Sequence, residues 1–424
     1  MSEIKVIHDE ITGEKYNYIK HSSGLDILVW EMEGFSTTEA LFGTKYGSIN
    51  TMFKTEDDEK YTIVPEGIAH FLEHKLFENE DTDVFDLYAK TGASANAYTS
   101  FDKTCYLFSC SDNYQESLKI LLSFVQKPYF TKESVDKEQG IIGQEIKMTE
   151  DNPGWRVFFN LLKCLYHNHP VKIDIAGTVE SIAKIDADLL YKCYNTFYNL
   201  HNMVLSIAGN VKTEEVLKIA DELLIPTNDK KLETVFEEEP YGIVKNEVVQ
   251  KMPVGTPIFH IGFKSNSVKG YEGLKAEMEA YIAVNVIADA FSELYKELMD
   301  DGLINNSFST EIFNGDGYFT IIFAGESKDP REVLNRIKMA ISKAKKDGLN
   351  REHFDVIKKA TYGSTIREFN NVDSVANLLI NNYFSNLSPF DGVKILSQMT
   401  YEDVQSCLVE RFDTENVAIS IIES

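Results

Sequence analysis

The chain has 424 residues, 43% hydrophobic and 26% charged, with a formal net charge of −25. That length is too great for one ordinary core and points to two or more domains of a soluble globular protein. The acidity argues against nucleic acid, whose phosphates it would repel, and is compatible with basic ligands.

No stretch approaches the roughly 18–20 continuous apolar residues of a membrane span. The opening MSEIKVIHDEITGEKY has no apolar h-region, so no secretory signal is expected. The five cysteines are few, odd in number and without a CxxC pair; they read as free thiols of a reducing compartment, and the chain as cytoplasmic.

In chain order, strands are expected at GLDILVWEM (24–32), EALFGTKYG (39–47), NAYTSFDKTCYLFSC (96–110), VLSIAGN (204–210), TPIFHIGFKS (256–265), YFTIIFAGE (318–326) and NVAISIIE (416–423). Long helical patterns lie between them. Two stretches align without a gap at an offset of 214 residues: IDADLLYKCYNTFYNLHNMVLSIAG from 185 and MTYEDVQSCLVERFDTENVAISIIE from 399. Cys193 meets Cys407, Asn202 meets Asn416, Ser206 meets Ser420 and Ile207 meets Ile421. A second pair of helical stretches, LKILLSFVQKPYFTKESVDKEQGIIGQEI and LNRIKMAISKAKKDGLNREHFDVIKKATYGSTI, sets Glu138 against Ile357 and Glu145 against Ser364.

The chain therefore reads as α+β, with two homologous halves, each a mostly antiparallel sheet with helices on one face. The expected division is 1–225, a polar linker at 226–252 with an acidic run at Glu237–Glu239, and 253–424 without metal ligands.

The chemistry concentrates in PEGIAHFLEHKLFEN, residues 65–79. Read as a helix, it puts His70 and His74 on one face, one turn apart, with Glu73 at the edge of that face. Two neutral imidazoles are zinc ligands, and a catalytic zinc needs a third and keeps a position for water. A carboxylate beside that water can move its proton. Phe71, Leu72, Leu76 and Phe77 make the helix mostly buried, where a histidine needs a partner. The best source of the third ligand is KESVDKEQGIIGQEIKMTEDNP, in which Glu138 and Glu145 are seven apart and share a helix face.

The motif H-x-x-E-H, the segment GASANAYTSFDKTCY, the carboxylate helix, the HPVKIDIAGT stretch and the internal repeat together resemble the pitrilysin-type (inverzincin) metallopeptidases over nearly the whole chain. The resemblance implies one zinc per chain held by His70, His74 and Glu145. It implies Glu73 as general base and Glu138 as a carboxylate supporting the site from behind the ligands. It also implies a substrate edge strand at ASANAYTS, with Asn96, Ala97 and Tyr98 as peptide contacts.

Active members also carry an arginine and a tyrosine in the second half of a fold. The matching stretch here, YKELMDDGLINNSFS, has Met299 near the arginine position, and Asn305 and Asn306 in place of the tyrosine. The resemblance therefore implies the zinc-bearing subunit of a two-subunit peptidase acting on peptides in a closed chamber. A self-sufficient homodimer and a peptide-binding or assembly subunit are the alternatives.

Overall fold

The duplication seen in sequence becomes two sheets of matching topology in the computed structural model, which describes residues 3–78, 80 and 83–424. Asn79, the last residue of the stretch read as the metal helix, lies outside them. In the first sheet the neighbours run Glu3–His8, Lys15–Lys20, Asp26–Glu31, Met203–Gly209, Thr38–Thr44, Thr104–Cys110 and Ser94–Thr99. Asp26–Glu31 and Met203–Gly209 are parallel, and the other pairs are antiparallel.

The second sheet runs Glu247–Lys251, Val417–Glu423, Ile258–Lys264, Tyr318–Glu326 and Ser309–Gly315, with its first pair parallel. It reproduces the last five strands of the first sheet in order and direction. Met203–Gly209 and Val417–Glu423 keep the 214-residue offset read from sequence. The fold is α+β with two like halves.

Thr38–Thr44 is buried along its whole length, so both faces of its sheet are covered. One face carries the main core of the unit, with Phe42, Phe71, Leu72, Tyr106, Phe108 and Leu121 all fully buried. Against the other lies the helix Val372–Phe384. Ser206 Oγ donates to Ala376 O at 2.6 Å, and a Cβ on Gly43 would stand 2.6 Å from Ile380 Cδ1. In the second unit the helix Pro153–Leu165 takes the equivalent place, where a Cβ on Gly262 would meet Leu165 at 2.9 Å and Leu161 at 3.0 Å.

Each sheet is thus closed by the helix that chain order assigns to the other half. The compact units are 1–146, 174–235 and 366–390 in one, and 147–173, 236–365 and 391–424 in the other. They differ from the contiguous division expected at 1–225 and 253–424. The reason is packing: a glycine in the middle strand leaves a groove that an apolar helix fills.

The expected linker is also partly structured. Leu232–Thr234 pairs with Met52–Thr55, and Glu247–Lys251 is an edge strand of the second sheet. Glu239, from its acidic run, is an ion-pair partner of the buried Lys264 at 2.6 Å. The stretch at 96–110 divides into the strands Ser94–Thr99 and Thr104–Cys110, joined by the turn at Ser100–Lys103. Among the described residues no helix is long and apolar enough to cross a membrane, and all five cysteines are buried free thiols.

Candidate metal centre

The motif helix, Ile68–Leu76, starts from Gly67 at φ 86°, a left-handed conformation that a side chain resists. A Cβ there would also come within 2.3 Å of Ala176 O. Ser181 Oγ donates to Glu66 O at 2.9 Å, so the segment following HPVKIDIAGT braces the start of the helix. Ile68, Phe71, Leu72 and Leu76 anchor it in the core, which fixes the direction of the remaining face.

The carboxylate helix is Lys132–Glu150, with Val135, Ile142 and Ile146 buried. Its Glu138 and Glu145 face the histidines. Ligand atoms of His70, His74 and Glu145 all lie within 4.8 Å of one another. His70 Nε2 is 3.6 Å from Glu145 Oε1, and His74 Nε2 is 3.6 Å from Glu145 Oε2. These gaps are too long for hydrogen bonds. They suit donors around one ion, since zinc ligands at about 2.1 Å in a tetrahedron stand about 3.4 Å apart. His74 Nδ1 faces Glu138 Oε1 at 2.9 Å, which aims its Nε2 at the centre. Among the described residues His70 Nδ1 is buried without a hydrogen-bond partner.

Electrostatics agree with a metal cage. Burial, then the neighbouring His74, pull His70 down to about 3, so its imidazole is neutral and able to ligate. Burial also pulls His74 down, but Glu138, Glu73 and Glu145 outweigh it and raise the group overall. Three carboxylates around two imidazoles leave excess negative charge for a cation to offset. The donor set, two imidazoles and one carboxylate, is a zinc set.

Glu73 is 9% exposed, and burial raises its carboxyl above the ordinary range. Its Oε2 accepts from Thr99 Oγ1 at 2.6 Å. Thr99 and Thr104 escaped the sequence reading. The available signal was alternation: in ASANAYTS, Ala97 and Thr99 share a face, and that face turns to the motif helix. Lys75 also escaped it; it is fully buried and ion-paired to Glu78.

Ser94–Thr99 is the outermost strand of its sheet, paired to Thr104–Cys110 alone among the described strands. Asn96 is exposed, and its Oδ1 accepts from Ala97 N at 2.9 Å, so part of the edge is capped by its own side chain. Ala97 packs on the core. Tyr98 stands opposite Cys105 and Gly43 in register, hence on the face away from the motif helix. Of these three residues only Asn96 has an exposed side chain.

Among the described residues the second unit holds no counterpart of the centre: Ile357 and Ser364 occupy the positions matching Glu138 and Glu145 on the helix Arg351–Glu368. Met299 packs against the core there, and Asn305 Nδ2 is bonded to Glu326 Oε2 at 2.8 Å.

Residues 59–179 match the profile described as Insulinase (Peptidase family M16), and residues 184–361 the one described as Peptidase M16 inactive domain. A Bacillus subtilis chain named uncharacterized zinc protease YmfH is 40% identical over 423 residues, 98% of each chain. The chain belongs to peptidase family M16. This M16 chain is also similar to the crystal structure of an M16-like peptidase from Alicyclobacillus acidocaldarius, with TM-score 0.92 and 30% identity over 100% of this chain and 98% of that one. Pitrilysin shares the fold at TM-score 0.78 and 15% identity, over 100% of this chain and 47% of its own.

Proposed function

We propose that the protein is a zinc-dependent endopeptidase that hydrolyses peptides and unfolded segments in the reducing cytoplasm. The observation that carries this reading is the convergence of His70, His74 and Glu145 with the buried Glu73 beside them. His70, His74 and Glu145 hold one zinc. When bound, it polarises the scissile carbonyl and makes water acidic enough to deprotonate near neutral pH.

The chain's own residues do the rest. Glu73 takes the proton from the attacking water and delivers it to the leaving amine; its burial raises its proton affinity toward that task. Glu138 keeps His74 in the tautomer that bears its proton on Nδ1. The free edge Ser94–Thr99 takes the peptide as an added strand, which gives affinity without reading side chains. Asn96 yields the Ala97 amide when the peptide arrives.

Donors for the developing oxyanion are the missing part. Losing one such donor costs about 100- to 1,000-fold. The stretch YKELMDDGLINNSFS holds no arginine, and Asn305 and Asn306 stand where the resemblance places the tyrosine. The proposal therefore includes a second family subunit that supplies this pair, with the two chains enclosing the peptide.

The test is to purify the zinc-loaded chain alone and, separately, with whatever co-purifies from native cells, and to assay both on mixed peptides. The proposal expects weak turnover alone and strong turnover with a second M16 subunit present. Strong turnover by the chain alone would remove the partner and favour a homodimer. A metal-free, inactive protein that still binds peptides would overturn the peptidase reading.

A further inference from the structure

Thr99 is the last residue of the free edge strand, and its hydroxyl is 2.6 Å from Glu73 Oε2. One weaker acceptor competes for its proton. The nearest other acceptor is Thr104 Oγ1 at 3.3 Å, and Thr104 spends its own proton on Tyr46 O at 2.8 Å. A hydrogen bond to a carboxylate is about twice as strong as one between neutral groups, so the short bond wins.

The place of Thr99 is stiff. It stands opposite Thr104 in register, at the closed end of a hairpin. Ser100 N donates to Lys103 O at 2.8 Å across the turn, and Ser100 Oγ and Lys103 Nζ both reach Asp102 Oδ1, at 2.8 and 2.9 Å. The turn is tied to the neighbouring loop by Ser48 N to Ser100 O and Ile49 N to Phe101 O, each 3.0 Å.

One strand therefore offers an unpaired edge to a peptide and, at its end, a fixed donor to the carboxylate. We propose that Thr99 is a positioning residue that couples occupancy of the edge strand to the orientation of Glu73, an inference that rests on the peptidase reading. With Thr99 donating to Oε2, the Glu73 carboxylate is held in one orientation. A peptide added along Ser94–Thr99 lies on the strand whose last residue holds Glu73. Binding at the edge is then expressed in the rate of the chemical step more than in affinity.

The test compares Thr99→Val, which keeps shape and removes the donor, with Thr99→Ser, which keeps the donor. Loss of a hydrogen bond to a charged group corresponds to about 10- to 100-fold. Thr99→Val is expected to lose about that much in kcat with KM within about twofold, and Thr99→Ser to stay within about threefold of wild type. Zinc affinity by chelator competition should stay within about twofold in both, because Thr99 touches no ligand.

A fall confined to KM, a serine variant as impaired as the valine one, or a parallel loss of zinc would each overturn the proposal. Crystal structures of the zinc-loaded variants give a readout that needs no turnover. Glu73 should occupy more than one rotamer in Thr99→Val and one in Thr99→Ser, and an unmoved Glu73 in Thr99→Val would also overturn it. A wild-type protein that cleaves nothing, with or without a second subunit, counts against the peptidase reading, and the rotamers then decide the role of Thr99.

Discussion

Replacing Glu138 by alanine separates the ligands from the group that aims them. In the folded chain Glu138 Oε1 lies 2.9 Å from His74 Nδ1, and the two side chains are 11% and 27% exposed. Truncation leaves a largely buried imidazole N–H without an acceptor, which costs about 1–3 kcal/mol. If that cost falls on the metal-bound state, where the ring must point its Nε2 inward, zinc binding weakens by about 5- to 150-fold. Partners of this kind are worth about 10- to 100-fold in metal affinity. Glu138→Gln keeps an acceptor but not the charge, and should lose less than the alanine variant. The assay is equilibrium competition with a chromophoric chelator at neutral pH, with far-UV circular dichroism to confirm folding. A folded Glu138→Ala protein that holds zinc as tightly as wild type would refute the reasoning that Glu138 orients a ligand.

Two further predictions concern the frame. Burial alone would raise Glu239, but Lys264 and the amides of Asn168, His167 and His169 outweigh it and lower its carboxyl to about 2. Because the folded value lies below the unfolded one, the Glu239 carboxylate contributes its stability fully above about pH 4.5, and that contribution is lost as pH falls toward about 2. Urea midpoints measured against pH should show that slope in wild type and a shallower one in Glu239→Gln. The variant should also be about 3–5 kcal/mol less stable at neutral pH, because the buried Lys264 keeps its backbone carbonyl acceptors but loses its carboxylate partner; an unchanged slope would contradict this.

Gly43→Ala places a Cβ 2.6 Å from Ile380 Cδ1 and should cost about 1–3 kcal/mol. Ile380→Val removes that atom, so the double variant should recover part of the loss, and strict additivity would argue that the helix Val372–Phe384 does not lie on this strand.

Much of the fold was legible because its signals are local. The repeat at 185–209 and 399–423 survives as residues that recur at one spacing, and each copy ends on its sheet's buried strand. His70, Glu73 and His74 were legible because helical spacing alone puts them together, and Glu138 and Glu145 because seven residues make two turns. The helix exchange was not legible. Pro153–Leu165 and Val372–Phe384 are amphipathic wherever they pack, and an apolar face does not say which sheet it covers. The Glu239 ion pair was hidden for a similar reason: an acidic run before a proline reads as solvated until Lys264, 25 residues on, turns out to be buried against it. Thr99 lies within the edge strand that the sequence shows, yet its role depends on a contact with a helix residue 26 positions earlier, which no periodicity reports.

Peptide hydrolysis by this chain depends most directly on Glu73. The measurement is zinc content and peptide turnover of Glu73→Gln beside wild type, each with the second subunit that co-purifies with it. Glutamine keeps the size of the side chain and still accepts from Thr99, so the predicted result is one zinc per chain in both proteins, with turnover lost in the variant. Full turnover by Glu73→Gln would contradict the assignment of the base, and loss of zinc along with activity would make Glu73 a ligand and not the proton carrier.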